Sequence, residues 1–212
     1  MLSEYDVNCR LVEENLWEGR EAFLEMNPSA NLPVWQEDNG TTICGPWPVI
    51  EYVDETIGTM QRERRLYPDG AVHRAEVRRL ADWALGKMEE EVTRHLVAER
   101  VTKRQMPANA GGGAPDSSVL RYARGNLKYH IRYLGWLAAS RTWLAGDNMT
   151  FADLAVAASF SVLDYLGEVE WMEDAALKDW YVKVKSRPSF RPLLAERLRG
   201  MPPVSHYVDL DF

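Results

Sequence analysis

Strand signals occupy only the first third of this sequence and stop near residue 65, a change of period that constrains the fold more than any other feature. Before it, VNCRLVE (7–13) alternates and predicts a half-buried strand. EGREAFLEM (18–26) carries helix formers and ends at Asn27-Pro28, where proline halts a helix. LPVW reads as a strand starting at Pro33, and the turn EDNG leads into a second strand, TTIC, as in a hairpin. A helix from Pro46 then places Val49, Ile50 and Val53 on one face. Beyond residue 65 the period is helical throughout. Residues 71–105 carry Val77, Leu80, Ala81, Ala84, Leu85 and Met88 at three- and four-residue spacing, and the loop MPANAGGGAPDSS follows. Helices are predicted over 117–140, 150–166 and 174–187, with a short last one over 189–198. The expected class is therefore a small α+β part followed by an all-α bundle.

Charge and cysteine usage narrow the function. A net charge of −7 with pI near 5.2 argues against a nucleic-acid face. The basic run Arg62 to Arg65 and the acidic run Glu89 to Glu91 read as solvated helix surface rather than as a patch or a catalytic pair. The two cysteines, Cys9 and Cys44, lie in apolar runs without a Cys-x-x-Cys spacing and are expected to be buried hydrophobes of a reducing compartment. No apolar run reaches the roughly 18 residues of a membrane span, and MLSEYDVNCRL lacks a signal-peptide layout, so a cytoplasmic location without membrane insertion is expected. His73, His95, His130 and His206 are scattered, so no metal site is expected. The three glycines of the 106–118 loop are not followed by Gly-Lys-Ser/Thr and read as a linker.

Three ordered segments resemble the glutathione transferase superfamily. FLEMNPSANLPV is similar to the segment ending in that family's cis-proline, with Pro33 as the match and Leu32 before it. GDNMTFADLAVAA resembles the capping-box helix at the heart of the family's helical domain, with Thr150 and Asp153 as the structural cap. WYVKVKSRPSF resembles its late helix and the Arg-Pro that follows. The resemblance implies a truncated thioredoxin-like domain over 1–58, a linker over 59–70, an all-helical domain over 71–200 and an extended tail over 201–212. The family's habit of pairing one subunit's thioredoxin-like half with the other's helical half implies a homodimer.

Two departures bear on activity. The family's helix after the last strand usually opens with an acid and a serine that hold the γ-glutamyl end of glutathione. Counting back from IEYVDE, those positions here are Gly45 and Pro46, and Pro46 and Pro48 also lack N–H groups. Each lost hydrogen bond to a charged group costs on the order of 1.5–3 kcal/mol, so two such losses weaken binding by about a hundredfold or more. Proline is also well tolerated in a first helical turn, so a packing role for this stretch stands beside the reading of a degenerate site. At the other departure, LSEYDVNCRLVEENLWEGREAFLEMNP resembles the family only from the end of its first helix onward. The first strand and most of the first helix, which carry the thiol-activating residue in relatives, have no counterpart, so no catalytic residue is assigned. Met1 then reads as an internal methionine or a misassigned start.

The tail RLRGMPPVSHYVDLDF, with EVTRHLVAERVTKR, GWLAASRTWLAGD and SVLDYLGEVEWMEDAALKDWY, resembles the FzlA-type branch, the FtsZ-binding division proteins of alphaproteobacteria. That resemblance implies FtsZ or another division protein as partner. Tyr207, Val208, Leu210 and Phe212 alternate with Asp209 and Asp211, a composition that suits either a short docking peptide or a tail folded back on its own domain. Trp17, Trp35 and Trp47 lie in the half that builds the ligand groove and serve either as interface anchors or as core. Two readings follow. One is a non-catalytic interaction protein with no cofactor, binding through Trp17, Trp47, Tyr207, Asp209, Leu210, Asp211 and Phe212. The other is a glutathione transferase or lyase that uses glutathione.

Overall fold

A computed structural model describes residues 1–210 of the chain, which divides between Leu66 and Tyr67 into two compact units. The first unit carries 13 acidic against five basic residues, and the rest of the chain 19 against 20. The whole net negative charge therefore belongs to the first 66 residues.

In the first unit, helix α1 (Glu21–Met26) leads to an antiparallel hairpin, β1 (Val34–Gln36) and β2 (Thr42–Cys44), and then to α2 (Pro46–Thr56). The hairpin turns at Asp38-Asn39-Gly40, where Gly40 takes φ 88° and donates its N–H to Glu37 O at 2.9 Å. Short 3-10 turns at Leu2–Tyr5 and Gly58–Met60 close the unit. Tyr5 is buried and its hydroxyl accepts the Leu66 N–H at 2.9 Å. Asp54 is fully buried and receives two hydrogen bonds from the Arg65 guanidinium, at 3.2 and 2.9 Å. Arg65 is thus a half-buried ion-pair partner rather than solvated surface.

Two expectations for this unit fail. Residues 7–15 form no strand, and Cys9, Leu11 and Val12 are exposed, because no other strand among the described residues pairs with them. Cys9 is accordingly not a buried hydrophobe. Cys44 is half-buried, with its thiol 3.7 Å from the Met26 carbonyl oxygen.

The second unit is helical. The long helix α3 (71–105) starts at Ala71 and ends at Gln105, and its interior changes ladder. Residues Trp83–Thr93 and Ala98–Thr102 are π-helical, a wider i→i+5 register that no apolar period announces. Helix α4 (Ser117–Ser140) starts on Asp116, whose carboxylate accepts the Ser118 N–H at 2.7 Å. Helix α5 (Phe151–Tyr165) is buried all round except at Ala158, Ser159 and Val162, so it forms the centre of the unit. Helix α6 (Ala175–Lys185) and the short α7 (Arg191–Ala195) follow. Helix α5 packs on α3, and α4 lies against both α3 and α6.

Asp153 ties this centre together. One carboxylate oxygen accepts the Thr150 N–H at 2.9 Å and the Thr150 hydroxyl at 3.1 Å; the other accepts the Leu144 N–H and the Trp180 indole N–H, each at 2.9 Å. A fully buried carboxylate with four donors is satisfied without a cation. No helix among the described residues is long and apolar enough to cross a membrane.

Candidate functional site

The sequence singled out Leu32, Pro33, Gly45 and Pro46, and the hairpin brings them together. The Leu32-Pro33 peptide bond is cis, and the Gly45 N–H donates to the Pro33 carbonyl at 2.9 Å. Leu32 and Pro33 are exposed, Gly45 is buried and Pro46 is half-buried. The loop before Pro33 is organised by Asn27, which sequence reasoning passed over. Its side-chain amide donates to the Asn31 carbonyl at 2.7 Å and to the Asn31 side-chain oxygen at 3.0 Å, while Ser29 donates to Asn27 Oδ1 at 2.7 Å. The signal for such a residue is an asparagine in the turn chemistry that follows a helix end.

A helix start can hold an anion because its first N–H groups are free. Here Pro46 and Pro48 have none, and the Val49 N–H is spent on the Gly45 carbonyl at 3.3 Å. Trp47 supplies the only N–H of residues 46–48. Gly45 itself sits at φ 89°, ψ 156°, a conformation that a side-chain-bearing residue adopts only under strain, so an acid could not be restored there cheaply. Among residues 46–49, only the Trp47 N–H is therefore not removed by proline or spent on the Gly45 carbonyl.

The comparisons with known proteins fall on the same architecture. The family "Glutathione S-transferase, C-terminal domain" matches residues 105–188. FtsZ-localized protein A of Caulobacter vibrioides is 41% identical over 199 residues, which cover 92% of this chain and 84% of that protein. The chain belongs to the glutathione S-transferase superfamily. Two solved members lie close to it in shape. A glutathione S-transferase of Sinorhizobium meliloti superposes with a TM-score of 0.98 at 55% identity, covering 100% of this chain and 91% of that one. FzlA from C. crescentus gives 0.90 at 39% identity, with the same two coverages.

Against this transferase fold, the aromatic candidates divide. Trp17, Trp35 and Trp47 are all half-buried, and the Trp35 indole donates to Glu37 Oε1 at 2.7 Å. Tyr207 does not fit the docking-peptide expectation. It is 2% exposed within a short 3-10 turn, Ser205–Val208, its hydroxyl 2.8 Å from Ser161 Oγ. A phenol ring gains more from burial against Tyr165 and Ser161 than from solvent, so the tail folds back. Asp209 is exposed and Leu210 half-buried, whereas Asp211 and Phe212 lie outside the described residues.

Two features of the helical unit escaped the sequence. Tyr122, Tyr129 and Trp136 stand 54, 68 and 61% exposed along one face of α4, at seven-residue spacing. Arg121, Lys128 and Arg132 are exposed beside them, and α4 contains no acid. Seven-residue aromatic spacing was legible as a face, but the neighbouring apolar positions read equally well as core. The other is a buried polar hub on Asp164, which accepts from the Trp171 indole at 2.8 Å and faces Lys185 Nζ at 3.6 Å, all within the interior. An acid inside the apolar run SVLDYL was its signal. Burial pushes the Lys185 pKa down, and Asp164 opposes that shift. Among the described residues no three His, Cys, Asp or Glu are grouped to hold a metal ion.

Proposed function

We propose that this transferase-fold protein is a non-catalytic interaction protein that binds FtsZ and acts in bacterial cell division in the cytoplasm. The observation that carries the reading is the start of α2. Its two prolines leave Trp47 as the only N–H donor of residues 46–48, where relatives that use glutathione need several. The likeness to FtsZ-localized protein A over 92% of the chain supports the division role. Trp47, half-buried beside the cis-proline loop, is the proposed anchor, with Trp17 and the exposed tail residues as further contacts. Co-sedimentation with polymerised FtsZ tests this. The protein pellets with filaments and Trp47→Ala loses at least tenfold in affinity; no pelleting under any nucleotide condition overturns the reading.

The same reading includes a homodimer. The first unit is strongly acidic, and the acid-free aromatic face of α4 carries Arg121, Lys128 and Arg132. That complementarity supports docking of one copy's acidic unit on the other's α4 face. Light scattering should give twice the chain mass, and Trp136→Glu should give a monomer.

A second reading, a glutathione transferase, draws support from the 55% identity to the protein of that name from Sinorhizobium meliloti. Retention on immobilised glutathione with turnover of an aryl halide would favour it over the first.

A further inference from the structure

The C-terminal segment is tied to the helical unit at two places with Pro202-Pro203 between them. At the first, the Tyr165 hydroxyl donates to the Met201 carbonyl at 2.6 Å and accepts the Leu198 N–H at 2.9 Å. At the second, Val204 N–H donates to the Tyr165 carbonyl at 3.3 Å, and His206 Nε2 lies 3.0 Å from Asp164 Oδ1. There Tyr207 inserts edge-on against Tyr165, ring centroids 5.1 Å apart, with its hydroxyl on Ser161. Past the second tie the chain returns to solvent, with Val208 46% exposed.

The socket has polar contacts of its own besides those to the tail. Without the tail, Asp164 keeps the Trp171 indole at 2.8 Å, Lys185 at 3.6 Å and the Tyr181 hydroxyl at 3.5 Å. Ser161 keeps a hydrogen bond to Tyr181, and Lys185 keeps the Tyr181 ring 5.6 Å away. Withdrawal of residues 204–208 takes from Lys185 the His206 carbonyl at 3.5 Å and the Tyr207 ring at 5.7 Å but leaves it facing Asp164, so neither buried charge loses its opposite, the usual obstacle to opening a polar interior. The tail brings one aromatic side chain and a few hydrogen bonds, a small cooperative unit of the kind that opens separately from the core.

We propose that the Ser205–Val208 turn is an autoinhibitory clasp: it opens as a unit while the Leu198–Met201 tie holds, and it withholds Tyr207 from a partner when closed. The clasp rests on the preceding reading only for the identity of that partner. When open, the segment offers a tyrosine followed by Val208 and Asp209, an aromatic and acidic short peptide.

Hydrogen exchange on the full chain tests it. The amides of Val204, Tyr207 and Asp209 should exchange through an opening insensitive to low denaturant, well ahead of those of Leu163 and Trp180. Tyr207→Phe removes the hydroxyl bond to Ser161 but keeps the ring, and should speed tail exchange about tenfold with α5 and α6 unchanged. Tail amides that exchange only together with α5, or a variant that speeds all helices alike, would overturn the clasp. Ser161→Ala, which leaves the tail sequence intact, should raise the fraction of protein pelleting with FtsZ filaments. Faster tail exchange with unchanged pelleting would overturn the inhibitory role. If neither protein pellets, the FtsZ reading falls, and exchange alone decides whether the clasp exists.

Discussion

Trp180 on α6 donates its indole N–H to Asp153 at the start of α5 across 2.9 Å, joining two helices 27 residues apart in sequence through a carboxylate that water does not reach. Asp153→Ala would remove the acceptor for four donors at once and leave the Leu144 N–H and Trp180 N–H buried without partners. The expected loss is about 3 kcal/mol, or roughly 6–12 °C in the melting temperature of a domain this size. Calorimetry checks it, and Trp180→Phe, which gives up a single bond, should lose less than half as much.

His130 sets a pH limit. Its Nδ1 accepts the Trp83 indole N–H at 3.0 Å, so Nε2 carries the proton and donates to Glu91 Oε2 at 3.0 Å. Burial pushes its pKa down, only partly opposed by Glu91. In the unfolded chain the imidazole titrates near 6.5. The unfolded state therefore takes up a proton first as the pH falls, and native stability that is fully present above about 6.5 declines below it. Melting curves between pH 8 and 5 should show this slope, flattened in His130→Gln.

Gly135 is needed for the close approach of α4 to the start of α6. A Cβ there would lie 1.8 Å from Asp174 Oδ2, and the other carboxylate oxygen of Asp174 accepts the Leu177 N–H at 2.9 Å as the cap of α6. Gly135→Ala has to push this cap aside and should destabilise the helical unit by about 1–3 kcal/mol. Chemical denaturation measures it. Gly125→Ala, on the same helix in open space, serves as the control and should be neutral or mildly stabilising.

Pro46→Ser tests the degenerate site directly. It returns one N–H and one hydroxyl to the first turn of α2 without touching the positive-φ Gly45. Titration calorimetry should show glutathione binding stronger by about tenfold than in the natural sequence. Equal binding by both proteins would mean that the prolines are not what separates this helix start from its ligand.

How far the sequence was legible depended on whether local pattern and packing agreed. The hairpin was readable because Asn39-Gly40 demands one kind of turn, and α3, α4 and α5 because their apolar spacing is sustained over many turns. The first alternating run failed because a strand exists only through a neighbour: Val7 to Glu13 has the right alternation and pairs with no strand among the described residues. The π turns of α3 were invisible because apolar spacing alone does not separate an i→i+4 from an i→i+5 ladder over so short a stretch. At the candidate site, Pro33, Gly45 and Pro46 were legible because proline and glycine limit the backbone directly. Tyr207 was not, because alternation of tyrosine, valine and aspartate suits an exposed peptide and a folded-back tail equally. Only the partners waiting at Ser161, Asp164 and Tyr165 decide between them.

The uneven charge of the two units has a kinetic consequence. With all the net negative charge in the first 66 residues, that unit attracts a cationic surface before it touches it. The first unit would favour a cationic surface, and the acid-free face of α4 an anionic one. Association with either should slow as salt shortens the screening length from about 10 Å at 0.1 M, while dissociation rates, governed by the contacts already made, change little.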